Sequence, residues 1–287
     1  MALAATLDCN DAERRRLDRD SFNNGDEFAS ERHFKRPEVL NFQPTERGSV
    51  LVPILAKRIY YRLRREMHYV AGAPRKRIPL DWSVVHFNRT AVINALINRR
   101  GYVDYLEIGC GADNNFDAVA IANKIGVDPV SGGTHRMTSD EFFERHRLMS
   151  FDLVFIDGLH TYIQARRDLF NAMKQLRLGG AIVLHDMLPT AWHEQHMPRC
   201  SMTWMGDVWK LGFELSKSNF PSFRIIETDR GVGVLTKEKE INLPDAPPLS
   251  FQGLDYAYLL DNWQKLPITK VRPFFEGLST PPAFWEQ

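Results

Sequence analysis

Glycines and acidic or imidazole side chains lie at the ends of four short apolar segments of this 287-residue sequence. They are Glu107, Gly109 and Gly111 at the first segment, Asp128 at the second, Asp157 and His160 at the third, and His185 and Asp186 at the fourth. Carboxylates and imidazoles bind metal ions and move protons, and glycine turns let a ligand approach the backbone. Each residue alone could instead cap a helix or close a turn. Their recurrence at successive segment ends predicts one shared site.

The four apolar segments are predicted strands, and helical patterns separate them. The strands cover residues 102–108, 125–127, 151–156 and 181–184. Helices are expected over 116–123, over 139–146 with Ser139 as N-cap, and from Tyr162 to the pair Gly179-Gly180. We number the strands so that a third strand, which has no clear sequence pattern, can follow the second. Residues 151–156 are then the fourth strand and residues 181–184 the fifth. Strands that alternate with helices form a parallel sheet covered on both faces, and the predicted fold class is therefore α/β, doubly wound.

The last strands of this region have a different pattern. Residues 223–228 and 232–236 flank Asp229-Arg230-Gly231 and predict a hairpin, which makes one edge of the sheet antiparallel. In open α/β sheets, ligands bind beyond the carboxyl ends of the parallel strands. The polar residues at those ends are therefore expected to lie close together.

Composition and charge exclude several classes of protein. Apolar residues make up 44% of the chain and charged residues 25%, which is typical of a folded globular protein. The formal net charge of +1 gives no overall attraction to nucleic acid, so a nucleic-acid partner is not expected. Cys9, Cys110 and Cys200 form no disulfide or zinc pattern, which favours a cytoplasmic location. No run of about 18 apolar residues occurs, so no membrane span is expected.

The chain is predicted to have four parts. Residues 1–36 form a mixed-charge, flexible arm, 37–87 a helical and basic cap, 88–240 the sheet domain, and 241–287 a proline-rich extension with one helix over 254–263. Within the cap, residues 57–77 contain eight basic residues and the single acid Glu66. The segment is either an amphipathic helix that contacts an anionic surface or a helix whose basic face is merely solvated. The two terminal parts are expected to support a homo-oligomer.

The glycine turn after the first strand separates two kinds of cofactor. A dinucleotide fingerprint requires G-x-G-x-x-G, and Asn114 stands where the third glycine would be. Residues 107–111, Glu-Ile-Gly-Cys-Gly, instead resemble the first motif of class I S-adenosylmethionine-dependent methyltransferases. Residues 138–143, 151–162 and 179–186 are similar to the bacterial small-molecule branch, with sugar and natural-product O-methyltransferases related to the macrocin and catechol enzymes. The resemblance implies a Rossmann-like sheet of seven strands.

The resemblance also implies where S-adenosylmethionine binds. The expected cofactor residues are Arg89, Glu107, Gly109, Gly111, Asp128, Thr138, Ser139 and Asp157. Glu107 would receive the ammonium group of the methionine portion, and Asp128 would accept hydrogen bonds from the ribose hydroxyls. Thr138 and Ser139 would lie near the adenine, and Arg89 would reach the cofactor carboxylate.

Two interpretations of the catalytic chemistry remain open. In the branch that the sequence resembles, carboxylates after the fourth and fifth strands hold a divalent metal, and Asp157 and Asp186 occupy those places. Mg²⁺ prefers a shell of oxygen ligands, however, and the sequence shows no third carboxylate or amide beside Asp186. The alternative is metal-free catalysis, in which His160, or His185 as second choice, removes the proton of an acceptor hydroxyl.

The resemblance therefore implies an S-adenosylmethionine-dependent methyltransferase that acts on a hydroxyl of a small molecule. Trp204 and Trp209 either line the acceptor pocket or anchor a helix in the core. His193 and His196 are either a partial zinc site or solvated. Three rival functions stay open: an RNA-modifying methyltransferase that uses the basic residues 57–77, a nicotinamide-dependent oxidoreductase, and a noncatalytic partner subunit.

Overall fold

A computed structural model describes residues 51–83, 87–217, 220, 222–239 and 251–278. The arm predicted over residues 1–36 lies outside these ranges, as do parts of the basic cap and of the proline-rich extension. Among the described helices, none combines the length and the apolar character that crossing a membrane requires.

The centre of the fold is a seven-stranded sheet with the order β2-β1-β3-β4-β6-β5-β7. The strands are β1 (Asp104–Ile108), β2 (Asn123–Val127), β3 (Phe151–Ile156), β4 (Leu176–Leu184), β5 (Arg224–Ile226), β6 (Val232–Thr236) and β7 (Ile268–Thr269). Strands β1 to β4 pair in parallel, whereas β6 is antiparallel to both β4 and β5. The predicted doubly wound α/β class, with a terminal antiparallel hairpin, is confirmed.

Nine α-helices lie in the described ranges. They are α1 (Leu51–Val70), α2 (Arg89–Arg100), α3 (Asn114–Ala118), α4 (Ser139–Arg145), α5 (Tyr162–Gln175), α6 (Trp192–Gln195), α7 (Trp209–Lys217), α8 (Tyr256–Asn262) and α9 (Val271–Gly277). Side chains alternate across the sheet, so Val154 and Ile156 belong to the core shared with α4, α5 and α7, whereas Leu153 and Phe155 belong to the core shared with α2. Both faces of the central strands are therefore buried.

The seventh strand does not come from the region where a missing strand was expected. The described residues between β2 and β3 contain α4 and a single bridge from Val127 to His135, but no strand. The seventh strand is instead β7, which lies in the C-terminal extension and pairs in parallel with β5. A two-residue strand has too little periodicity to be recognised in a sequence.

Three predicted helix boundaries were wrong. The helix expected over 116–123 is the short α3, and Asn123 already belongs to β2. The N-cap of α4 is Thr138 rather than Ser139, because the Thr138 side chain accepts a hydrogen bond from the Glu141 N–H and the Glu141 carboxylate completes a capping box.

The third boundary is the end of α5, which stops at Gln175 rather than at the glycine pair. Gly179 and Gly180 lie inside β4. A Cβ on Gly180 would come within 2.7 Å of the Asp152 carbonyl oxygen, so this glycine permits close strand contact rather than ending a helix. The helix expected over 254–263 is present as α8.

Candidate active site

The carboxyl ends of four neighbouring strands meet at one edge of the sheet. The Gly109 N–H donates to the Val127 carbonyl (2.9 Å), and the Asp157 N–H donates to the Ile108 carbonyl (2.8 Å). The His185 N–H donates in turn to the Ile156 carbonyl (3.2 Å). The polar residues singled out in the sequence are thereby brought to one place.

Gly109 is required by the close approach of two strand ends. Its φ is +89°, which favours glycine, and a Cβ here would lie 2.3 Å from the carbonyl oxygen of Asp157. The chain after β1 therefore passes directly over Asp157, the residue that follows β3. This contact joins the glycine turn to the first catalytic candidate.

A cavity of about 620 Å³ lies over these strand ends. Of the predicted cofactor residues, six line it: Gly109, Gly111, Asp128, Thr138, Ser139 and Asp157. Its volume lies in the range of small-molecule and cofactor sites. Arg89 and Glu107 are not among the residues that form its wall.

Asp128 is held by backbone donors at the end of β2. Its Oδ1 accepts hydrogen bonds from the N–H groups of Val130 (2.8 Å) and Ser131 (2.9 Å), and its Oδ2 accepts one from Gly111 (3.0 Å). Burial alone would raise the pKa of Asp128, but these hydrogen bonds lower it more, so the carboxylate stays ionised. An ionised acceptor fixed at the cavity wall can bind vicinal hydroxyls.

Glu107 is buried beneath the glycine turn. Its Oε2 accepts hydrogen bonds from the Tyr105 hydroxyl (2.6 Å) and from Asn115 Nδ2 (2.9 Å). Burial raises the pKa of Glu107 to about 7 despite these two donors. The role predicted for it, receiving the cofactor ammonium group, stays a prediction, and the carboxylate lies in a polar network behind the cavity wall.

Asp157, His160 and Asp186 form a cluster whose side chains could hold a metal ion. One ligand atom from each residue lies within 4.8 Å of the others. His160 Nε2 is 3.2 Å from Asp157 Oδ1, and His160 Nδ1 is 3.2 Å from Asp186 Oδ2. The third ligand that the sequence did not reveal beside Asp186 is therefore His160. The two catalytic interpretations thus use the same imidazole.

Ionisation within the cluster follows from burial and from its neighbours. Burial would raise the pKa of Asp157, but the adjacent His185 and His160 hold it well below its usual range. Burial would lower the pKa of His160, but the carboxylates of Asp157 and Asp186 raise it. For Asp186, burial dominates and raises the pKa. Asp157 is therefore the carboxylate of the cluster that stays most firmly ionised.

His160 is oriented by residues 204–206. Its Nδ1 donates a hydrogen bond to the Trp204 carbonyl (3.0 Å), and its ring stacks on the Trp204 indole with centroids 5.6 Å apart. Gly206 has a φ of +61°, and a Cβ there would overlap the His160 carbonyl oxygen at 1.6 Å. The imidazole is therefore fixed by a neighbouring backbone segment and not only by the carboxylates.

His185 is buried among several charged residues. Its Nε2 donates to the Asp229 carbonyl (3.0 Å), and its Nδ1 lies 3.2 Å from Asp157 Oδ1 and 2.8 Å from Arg89 Nη1. Burial would lower the pKa of His185, but Asp186 and Asp157 raise it to about 10. Its exposed fraction is 3%, so a substrate has no direct access to either ring nitrogen.

Arg89 binds two carboxylates of the site, those of Asp157 and Asp229. Its Nη1 donates to Asp157 Oδ2 (2.9 Å), and its Nε lies 3.1 Å from Asp229 Oδ2. In this arrangement the guanidinium balances the charge of Asp157 and Asp229. The predicted contact with a cofactor carboxylate stays a prediction.

Sequence reasoning missed Asp229 as a member of this group. It lies in the turn between β5 and β6 and has a φ of +42°. Because β6 pairs with β4, this turn is carried to the strand end that holds His185. The Asp229-Arg230-Gly231 turn was recognised only as a hairpin signal, and its sheet neighbour was not evident from the sequence.

The tryptophan and histidine side chains of residues 192–209 lie in different environments. Trp209 is fully buried, so the core interpretation holds for it, whereas Trp204 contacts His160. His193 Nδ1 lies 3.0 Å from the Tyr69 hydroxyl. His196 stacks on Trp192 with centroids 4.2 Å apart, and burial lowers its pKa to about 4. The group that could hold a metal within the described ranges is the Asp157 cluster.

Comparisons with known proteins find a similarity for the central part of the chain. Residues 89–187 match the family model described as a methyltransferase domain. No curated protein sequence matches the chain.

Solved structures with similar folds share little sequence with the chain. One is a putative caffeoyl-CoA O-methyltransferase from Staphylococcus aureus (15% identity, 65% of this chain and 97% of that chain, TM-score 0.41). Another is the MycE methyltransferase of the mycinamycin biosynthetic pathway, in complex with Mg, SAH and mycinamycin VI (20% identity, 60% and 53%, TM-score 0.38). A third is the O-methyltransferase from Bacillus cereus in complex with SAH (15% identity, 62% and 91%, TM-score 0.39).

The matched residues include the strand ends that form the cavity wall and the Asp157 cluster. Residues 89–187 are therefore similar to a methyltransferase domain.

Proposed function

We propose that the protein transfers the methyl group of S-adenosylmethionine to a hydroxyl group of a small molecule, with sugars and natural products as the acceptor class. The observation that supports this proposal is one shared residue. Asp157 lies both in the wall of the cofactor cavity and in the cluster with His160 and Asp186. A methyl donor in the cavity would therefore lie beside groups that can bind and deprotonate a hydroxyl.

The polar groups of the cavity match those of the cofactor. When bound, S-adenosylmethionine supplies an electrophilic methyl group on a sulfonium. Asp128 offers ionised oxygens for ribose hydroxyls, and Gly109 and Gly111 let the backbone approach the ligand closely. Thr138 and Ser139 lie at the start of α4 on the far wall, where the adenine is proposed to bind.

His160 is the proposed general base. Because Nδ1 donates to the Trp204 carbonyl, Nε2 is the ring nitrogen that accepts a proton. Asp157 Oδ1, 3.2 Å from Nε2, stabilises the imidazolium once it forms. His185 has no comparable freedom, since its Nε2 proton is committed to the Asp229 carbonyl. We assign His185 a positioning role between Asp157 and Asp229.

The same cluster also fits a divalent cation. Asp157, His160 and Asp186 would hold it, and it would position and acidify the acceptor hydroxyl. Two carboxylates and one imidazole are a donor set that suits several divalent ions, and Mg²⁺ prefers oxygen ligands. Among the described residues, Asp229 is not part of the group whose side chains could hold a metal ion, so it adds no further oxygen ligand to the cluster.

Methyl transfer from labelled S-adenosylmethionine to a panel of sugars and phenols tests the proposed reaction. Its rate in EDTA and with added Mg²⁺ distinguishes His160 as base from a bound metal ion. Activity that persists in EDTA and is lost in His160→Gln supports His160 as base. Activity that is lost in EDTA and restored by Mg²⁺ supports the metal. Methylation of amines or RNA, with no product from any hydroxyl acceptor, would contradict the proposed function.

The proposal places the enzyme in the cytoplasm as a homo-oligomer that assembles through its terminal extensions. Cys110 and Cys200 are buried free thiols, which suits a reducing compartment. Nucleic acid is not a proposed partner. The alternatives of an RNA-modifying enzyme, an oxidoreductase and a noncatalytic subunit are not favoured by the methyltransferase family match.

A further inference from the structure

Helix α1 exposes a stripe of apolar side chains. Leu55, Ile59, Leu63, Met67 and Val70 recur at intervals of three or four residues, and all five are exposed. With 3.6 residues per turn they fall within an arc of about 120°. Single exposed leucines are common on protein surfaces, whereas five apolar side chains on one helix face mark an interaction surface.

The opposite side of α1 packs on the methyltransferase domain. The His68 ring contacts Trp192 and His196 at centroid distances of 5.0 and 4.6 Å. The guanidinium of Arg199 lies 5.6 Å from the Tyr61 ring. The apolar stripe therefore points away from the domain, and the helix is held by its other face.

Basic side chains border the stripe on both edges. At 100° per residue, Arg58 and Arg62 fall along one edge, and Lys57 and Arg64 fall along the other. The single acid of the helix, Glu66, falls within the arc of the stripe and lies 3.7 Å from Arg65 and 3.8 Å from Arg75. The flanks of the stripe therefore carry a surplus of positive charge.

We infer that α1 binds the surface of an anionic lipid bilayer, with the stripe in the acyl boundary and the flanking Arg and Lys side chains at the headgroups. An apolar face bordered by basic residues is the arrangement that lies in a membrane interface, because apolar burial and attraction to anionic headgroups add. This surface is independent of the methyl-transfer site.

Charge and polarity favour a bilayer over two other occupants. A second copy of the chain would place its own basic flanks beside those of α1, which costs free energy. RNA would match the flanks but offers the stripe no apolar surface. An anionic bilayer complements both the apolar stripe and its basic flanks.

Flotation of the full-length protein with phosphatidylcholine vesicles, with and without phosphatidylserine, tests the inference. The stripe variant Leu63→Ser is matched by Leu178→Ser, a leucine of the same exposure (62% and 61%) outside α1. The charge variant Arg62→Gln is matched by Lys174→Gln on the exposed side of α5. Unfolding temperature and S-adenosylhomocysteine affinity establish that each variant is folded.

We expect binding to the vesicles that contain phosphatidylserine and weak binding to the neutral ones. Leu63→Ser should lower the vesicle affinity about tenfold, Arg62→Gln about fivefold, and the two controls should leave it unchanged. Absence of vesicle binding by the wild-type protein would overturn the inference. So would equal binding to neutral vesicles, or a dimer in sedimentation that Leu63→Ser dissociates while vesicle binding stays absent.

Discussion

His160 and Trp204 are held together by two different contacts. The imidazole and indole rings stack with their planes 22° apart, and His160 Nδ1 donates a hydrogen bond to the Trp204 carbonyl oxygen at 3.0 Å. The indole Nε1 in turn donates to the His196 carbonyl at 2.9 Å, which fixes the Trp204 ring. The tautomer and the plane of the proposed base are therefore set by residues of a loop as well as by the carboxylates of Asp157 and Asp186.

Trp204→Ala tests this relationship. Loss of the stacked ring should let the imidazole move, and we expect a decrease in kcat of about tenfold to a hundredfold, with little change in the affinity for S-adenosylhomocysteine. Trp204→Phe retains a stacking ring and should recover most of the rate. Steady-state kinetics and calorimetric titration measure the two effects. A lower cofactor affinity with unchanged kcat would contradict the positioning role.

Gly206→Ala tests the contact between the same loop and the His160 backbone. The new Cβ would overlap the His160 carbonyl oxygen at 1.6 Å, in addition to the strain of the positive φ. We expect the free energy of unfolding to fall by about 2 to 4 kcal/mol. Gly179→Ala is the control, since Gly179 also has a positive φ but nothing lies within 4 Å of its Cβ position. Urea denaturation that gives equal losses for the two variants would refute the close contact.

Glu214→Ala should destabilise the packing between α5 and α7. Its carboxylate accepts hydrogen bonds from Arg166 Nε (2.8 Å) and from the Tyr162 hydroxyl (2.7 Å), and all three residues are buried. Removing the carboxylate leaves the Arg166 charge in the interior, at a cost of about 3 to 5 kcal/mol. Glu276→Ala, which breaks an exposed pair with Arg272, should have no measurable effect. Denaturant unfolding of both variants checks the difference, and similar values would rule out a buried charge pair.

Asp168 makes the stability of the fold depend on pH. Burial raises its pKa from the ordinary 3.8 to about 6. Because the folded pKa is the higher one, its stabilising contribution is fully present below about pH 4 and is lost as pH rises through 6. Asp168→Asn removes this dependence. The free energy of unfolding of the variant, relative to that of the wild type, should therefore rise by about 2 to 3 kcal/mol as pH increases from 4 to 7.5.

Unfolding free energies at several pH values measure this gain, with the exposed Asp117→Asn as control. A difference between Asp168→Asn and the wild type that does not change with pH would show that Asp168 has an ordinary pKa in the folded protein.

The strands that form the site were predictable from the sequence, because each is a short, buried apolar run that ends on a polar residue or glycine. Strand β3 was predicted with its observed bounds, and the ends of β1 and β4 were placed correctly. Helix ends were less predictable. Thr138 and Ser139 are both capable N-caps, and only the backbone conformation decides between them.

The candidate site was predictable only in part, because contacts between distant segments are not encoded in local spacing. Asp157 and His160 follow the same strand, so their proximity could be foreseen. Asp229 reaches His185 only because β6 lies beside β4, and Trp204 reaches His160 through a loop that has no periodic pattern. Neither contact has a signal in a single sequence.

Binding of S-adenosylhomocysteine, measured by isothermal titration calorimetry on the full-length protein, tests the central claim most directly. We expect one bound equivalent and, because Asp128 lies in the cavity wall, an affinity at least about tenfold weaker in Asp128→Asn. The exposed Asp117→Asn should bind as the wild type does. Absence of binding by the wild-type protein, or the same affinity in Asp128→Asn, would contradict the assignment of this cavity to the cofactor.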